Sequence, residues 1–298
     1  MRQRDRLRVG GAGHGDFDHP GADLRFREDA EHPGGPVIAL LWLVIVAVPL
    51  LVLFGATLRT QDDYLDNGPL AVPDAVTADN YLSVFDKGFA TALGNTVMVT
   101  AGTVALVMVT AIPAAYAIVR SPSRIVSSGF RMFLLGLAIP MQVTVVPIYL
   151  VITRLHLYDS LLAVVLPTAA FSLPVSVLIL ASAMRDVSEE VYEAMALDGA
   201  NSWRVLLNLV VPMSTSAIST IGIYSALQAW NGFLFPLVLT QSAEQRVLTL
   251  SLWEYQTQFG INVPGLLAAV VLSGLPIFIA YLFARRALTS GLMGVGGK

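Results

Sequence analysis

"RDVSEEVYEAMALDGANSWRVLLNLVVP", residues 185–212, is a polar island in a largely apolar chain. It carries five acids, a central Asp198-Gly199 and a closing Pro212. Asp186 and Glu189 stand at capping-box spacing, and acids near a helix start offset the helix dipole. A helix is therefore expected to run to about Leu197. Asp198-Gly199 should end it, because glycine accepts the left-handed conformation that closes helices. Asn201 or Ser202 can cap a second helix. On that helix Trp203, Leu206, Leu207 and Val210 share one face by their i, i+3, i+4, i+7 spacing. Pro212 marks the start of the next apolar run. Two short helices meeting at a corner at Gly199, lying at a membrane surface, are expected. A plain solvated loop is the other reading. The length of the stretch and its apolar face favour a surface built to touch something.

The surroundings explain why a membrane surface is invoked. The chain is 55% hydrophobic and 13% charged, with mean hydropathy +0.68. Soluble domains carry about 25% charged residues, so an all-α polytopic membrane protein is expected. There is no cysteine, which excludes disulfides and thiolate metal sites. Residues 1–35 are polar and Gly-rich, with six arginines, and read as a disordered tail. The first apolar run is long enough to span, so it is not read as a cleaved signal. Six segments reach the roughly 20 apolar residues of a span: 36–58, 92–119, 130–152, 161–184, 213–240 and 264–286. Prolines at 49, 113, 140, 147, 167, 174, 236 and 276 suggest kinked helices.

With the N-terminus inside, fourteen of the eighteen Lys and Arg fall on cytoplasmic segments. The positive-inside rule thus places both termini in the cytoplasm, and the island 185–212 with them. The first outer loop, 59–91, is acidic and has no obvious core of its own. The expected organisation is a tail at 1–35, a membrane domain at 36–288 containing the 185–212 loop, and a cytoplasmic C-terminal tail at 289–298.

The island resembles the EAA loop of ABC importer permeases. Glu193, Ala194, Asp198, Gly199, Ala200 and Pro212 stand at that family's spacing, while Met195 replaces the second Ala and Ser188 stands where many members carry Pro. "GNTVMVTAGTVALVMVTAIPAAYAIVRSPSR" and "IPMQVTVVPIYLVITRLHLYDSLLAVVLPTAAFSLP" are similar to spans two to four of carbohydrate permeases. "WNGFLFPLVLTQSAEQRVLTLSL" and the end "ARRALTSGLMGVGGK" resemble the MalG-like branch, although the final Gly of that branch is missing. The likeness covers 36–298. It implies the type I permease fold with six transmembrane helices and a cytoplasmic EAA coupling helix, in the inner or plasma membrane of a prokaryote.

The resemblance also implies a role and partners. Such a subunit is not an enzyme and binds no cofactor; ATP and Mg belong to a partner ATPase dimer. A second, related permease completes a heterodimer, and an extracytoplasmic solute-binding protein delivers a sugar or oligosaccharide. No P-loop pattern is present. Glu193, Ala194, Asp198, Gly199, Ala200, Trp203 and Pro212 would couple to the ATPase, with Leu206 and Val210 packing on the chain's own spans. Leu292 and Met293 would add an ATPase contact in the C-terminal tail.

Other polar residues have two readings. Asn95, Gln142, Gln228 and Asn231 lie in or near spans, where a polar group is costly. They either line a sugar path or make interhelical hydrogen bonds worth about 0.6–2 kcal/mol each. Trp230 either stacks on a sugar ring or anchors at the interface. His14, His19, His32 and His156 show no metal-ligand spacing, so no metal site is expected. No nucleic-acid partner is implied. A peptide or amino-acid importer is the alternative solute class. An unrelated channel or membrane enzyme is disfavoured, because the span carboxylates of an intramembrane protease are absent.

Overall fold

The computed structural model describes residues 35–257 and 260–293. Among these, the one sheet is a small antiparallel pair, β1 (Gln256–Thr257) with β2 (Gly260–Ile261); the remaining elements are helical. The chain divides into two compact units, residues 1–49 and 50–298. The described part of the first unit is the start of α1 (Gly35–Thr57). Side chains 37–46 there are all exposed. A helix that is apolar all round and uncovered by protein is a lipid-facing span.

The second unit is built on three helices. α4 (Phe89–Arg120) and α7 (Leu161–Arg185) pack along each other and against α11 (Thr215–Trp230). Ala111 and Ala115 on α4, Ala169 and Ala181 on α7, and Ile221 on α11 are fully buried. Small side chains let helix backbones approach, which is what drives packing where lipid replaces water. At Gly102 a Cβ would stand 3.2 Å from Val165, so the α4–α7 approach uses its missing side chain. α7 also buries Thr168, Ser172 and Ser176. Their hydroxyls donate to carbonyls one turn back, at 2.7–2.9 Å, so they need no partner helix.

Four helices are long and apolar enough to span, or six if each of two bent pairs is one span. Expected spans one, two, four and six correspond to α1, α4, α7 and α14 (Val263–Met293). The third does not form one helix. α5 (Arg124–Leu134) runs through a tight turn to Ala138, and α6 (Met141–Arg154) leaves at 108° to it. Ile139 is extended (φ −87°, ψ 115°), as the residue before Pro140 should be, because the proline ring excludes helix there.

The fifth expected span, 213–240, is also divided. α11 stops at Trp230, and α12 (Leu234–Leu239) resumes after a short gap. Pro236 has no N–H to offer Gly232. The hydroxyl of Thr249 donates to the Gly232 carbonyl instead, at 2.7 Å.

The loop expected to lack a core is ordered. It holds α2 (Gln61–Asn67) and α3 (Asp79–Asp86). Val84 and Phe89 bury against Ala268 and Ala269 of α14, so the loop borrows its core. Arg59 is fully buried. Its guanidinium donates to both carboxylate oxygens of Asp63 (2.6 and 3.1 Å), to the Asp63 carbonyl (2.7 Å), and to the carbonyls of Gly68 (2.7 Å) and Ala71 (3.2 Å). The guanidinium beside it, with the Asn67 amide, holds the Asp63 carboxyl down to about 2.

Candidate functional site

The 185–212 loop begins where α7 ends. Asp186 caps the C-terminus of α7, and α8 (Glu189–Leu197) opens only after extended Ser188. The expected pairing of Asp186 with Glu189 as a capping box is therefore not formed. Val187, buried between the two helices, holds the intervening turn. Glu189 and Glu190 still place negative charge in the first turn of α8.

The corner follows the expected chemistry. The Gly199 N–H donates to the Ala196 carbonyl (3.0 Å) and the Ala200 N–H to the Met195 carbonyl (3.0 Å). Gly199 sits at φ +73°. This is the Schellman arrangement, and Met195 and Ala200 supply the apolar contact that accompanies it, both packed on the main core. Asn201 caps α9 (Ser202–Val205), its side chain accepting from the Arg204 N–H at 2.9 Å.

A wide turn, Leu206–Val210, then leads into α10 (Val211–Met213). The Val211 N–H reaches back five residues to Leu206, just before Pro212, which has no N–H to give. The chain bends 80° into α11 at Ser214, just past Pro212. The wide turn also splits the expected apolar stripe. Leu206 and Val210 are buried in the main core, while Trp203 and Leu207 are 64% and 59% exposed. Glu193, Ala194, Asp198, Gly199 and Pro212 are exposed, and so is Leu197. One face of the loop thus packs inward and the other presents apolar and acidic side chains together.

Arg120, the last residue of α4, reaches this loop. It donates to Glu189 at 2.6 Å, and its guanidinium lies 4.3 Å from the centre of the Tyr192 ring. This pairing holds the Glu189 carboxyl below its ordinary range, and burial pushes the Tyr192 phenol up. The Tyr192 hydroxyl donates to the Met184 carbonyl of α7 at 3.4 Å. A groove of about 410 Å³ opens beside Arg120, walled by Tyr116, Val126, Trp203 and Leu206. In the sequence Arg120 counts as a topological charge and as the exit residue of the second apolar segment. Its partners lie 69 and 72 positions away, so no local pattern signals them.

Of the five residues considered for a solute path, Asn95, Trp230 and Asn231 make hydrogen bonds within the chain. Asn95 is buried and donates to the carbonyls of Glu244 (2.7 Å) and Arg246 (2.8 Å). It is one of three staples on that segment. Thr96 accepts from the Leu248 N–H (2.9 Å), and Asp159 accepts from the N–H groups of Gln241 (2.8 Å) and Ser242 (3.0 Å). These donors keep the Asp159 carboxyl below its usual range. Trp230 packs against the cluster that holds Leu248, Ala268 and Ala269, and donates to the Ser273 carbonyl at 3.3 Å. Asn231 donates to the Leu227 carbonyl of its own helix. Gln142 is exposed on α6, and Gln228 lines a small pocket with Met141 and Phe171. Leu292 and Met293 fall on the last turn of α14, where side chains lie outside the described residues; 294–298 and 1–34 lie outside them altogether.

Comparison with known proteins places the chain in a family. Residues 108–292 match the family described as the binding-protein-dependent transport system inner membrane component. The chain is 34% identical to an ABC transporter permease protein of Caldicellulosiruptor sp. (strain Rt8B.4), over 86% of this chain and 94% of that one. It is 29% identical to the diacetylchitobiose uptake system permease NgcG of Streptomyces coelicolor, over 86% of each. It is 28% identical to the arabinooligosaccharide transport permease AraQ of Halalkalibacterium halodurans, over 87% of this chain and 94% of that one. Among solved structures, a bacterial ABC transporter that imports the acidic polysaccharide alginate superposes with TM-score 0.73 at 21% identity, over 84% of this chain and 94% of that chain. The fold is therefore that of an importer permease, and the chain belongs to the binding-protein-dependent transport system inner membrane component family.

Proposed function

We propose that this chain is a permease subunit of an ATP-driven importer that takes up a sugar or oligosaccharide. The observation that carries the proposal is the two-faced 185–212 loop. Its inner face is fixed in the core by Tyr192, Leu206 and Val210. Its outer face presents Glu193, Asp198, Leu197, Trp203 and Leu207. That outer face is the docking surface for an ATPase, which supplies the ATP and Mg. Closure of an ATPase dimer displaces the loop and biases the spans between two access states. Both termini and the 185–212 loop lie in the cytoplasm, and six spans cross the membrane, with the α5–α6 pair counted once and α11 continued by α12 as the fifth. A second, related permease and a solute-binding protein complete the assembly. The saccharide substrate rests on the named substrates of NgcG and AraQ, and the binding protein on the family description.

The test is reconstitution. Proteoliposomes holding this chain, its partner permease and the ATPase should take up labelled oligosaccharide only with the solute-binding protein outside and ATP inside. Uptake by this chain alone would overturn the proposal. Removing residues 289–298 should weaken ATPase association while leaving the spans inserted, if Leu292 and Met293 add a second contact.

A further inference from the structure

α8 is tied covalently to α7 by only the three residues Asp186–Ser188, and it leads to α11 through the Gly199 corner. Nothing covalent joins it directly to α4. Yet α4 is the helix on which α7 and α11 both pack. The bridge between them is Arg120, which holds Glu189 at 2.6 Å and lies over the Tyr192 ring at 4.3 Å. Tyr192 is only 4% exposed and bonds α7 through Met184. One cation thus grips α8 at two points a turn apart, from the end of a helix remote in sequence.

Resting on the permease reading above, we infer that Arg120 is the positioning residue that makes α8 and α4 move as one body, so that displacement of the loop is delivered to the central helix of the bundle. The geometry suits the task. The ion pair is partly exposed, with the Arg120 side chain at 33% and Glu189 at 62%, so it contributes little to static stability. The ring contact has no fork geometry to satisfy and tolerates sliding. Together they resist separation of the helices without freezing their orientation. Glu189 offsets the charge of Arg120 where α4 leaves the apolar region.

The test uses the reconstituted transporter, reading ATP hydrolysed per solute taken up. Arg120→Gln should raise that ratio by roughly five- to thirtyfold, the range of a coupling built from one exposed ion pair and one cation–ring contact. Arg120→Lys keeps the cation and should restore most of the coupling. A merely structural role would change assembly yield and leave the ratio alone. The chain has no cysteine, so spin labels at Ala117→Cys and Glu190→Cys report the α4–α8 distance without background. That distance should stay constant through the nucleotide cycle in the parent and change in Arg120→Gln. Wild-type stoichiometry in Arg120→Gln, or an unchanged distance, overturns this inference alone. A parent assembly that neither binds the ATPase nor needs ATP overturns the permease reading, and this inference with it.

Discussion

Two arginines, Arg59 just past the end of α1 and Arg120 at the end of α4, are held in opposite ways. Arg59 is fully buried and its guanidinium donates to one carboxylate and three backbone carbonyls. Arg120 is partly exposed, with one carboxylate and one ring face. A buried charge demands complete satisfaction, because each missing bond leaves a group desolvated. An exposed one demands nothing, so its partners can shift at small cost. The first arrangement makes a fixed point, and the second makes a joint. In this molecule the fixed point shapes the 58–88 loop, and the joint meets the loop proposed to move.

The largest effect should come from breaking the fixed point. Arg59→Ala strands the Asp63 carboxylate and the carbonyls of Gly68 and Ala71. A fall in melting temperature of roughly 10 °C is expected in detergent, and the ATP-to-solute ratio of the surviving assembly should be unchanged. Unchanged melting would mean that Arg59 is no fixed point.

Gly199→Val attacks the moving end by its backbone alone. No atom stands within 4 Å of a Cβ built at Gly199, so any penalty arises from its φ of +73°. That strain costs about 1–3 kcal/mol for a β-branched residue. Uptake should fall steeply at normal membrane levels, with Gly199→Asn much milder, since asparagine tolerates this conformation. Equal uptake by the two variants would detach the corner from coupling.

Acid separates the two arginine sites more gently. The Asp63 carboxyl is held down to about 2 in the folded chain, against about 3.9 unfolded. Its stabilising contribution is therefore fully present above pH 4 and is lost as pH falls toward 2. A melting series across this window should show the loss, and Asp63→Asn should lack that component. Parallel curves for the two proteins would contradict the assignment.

The smallest change in stability belongs to Trp203→Ala. Trp203 is 64% exposed, so melting should move by about 1 °C at most. ATPase association should weaken several-fold, as for an exposed aromatic anchor. Undiminished association by co-purification would remove Trp203 from the docking face.

How much of this was legible depended on distance along the chain. α4 and α7 were readable because uninterrupted apolar runs fix a span within a few residues. The corner was readable because Gly199 and Asn201 act on their immediate neighbours. The break at Ile139-Pro140 was in plain sight as a pre-proline position, yet the unbroken apolar composition around it masked it. Arg59 was opaque because two of its acceptors are the carbonyls of Gly68 and Ala71, which any residue could supply. Arg120 and Tyr192 were opaque because only the fold brings them together. The 206–210 wide turn, too, rotated Trp203 and Leu207 away from Leu206 and Val210, which a regular helical wheel puts on one stripe.

The bend before Pro140 has a meaning for the bilayer itself. α6 has 14 residues, so it rises only about 21 Å, while the hydrocarbon core is about 30 Å thick. Val143 and Val146 on it are 70% and 67% exposed. α6 therefore crosses only together with α5, and the bend between them lies inside the span. The depth that a pair bent by 108° covers depends on its angle, so bilayer thickness bears on that bend directly.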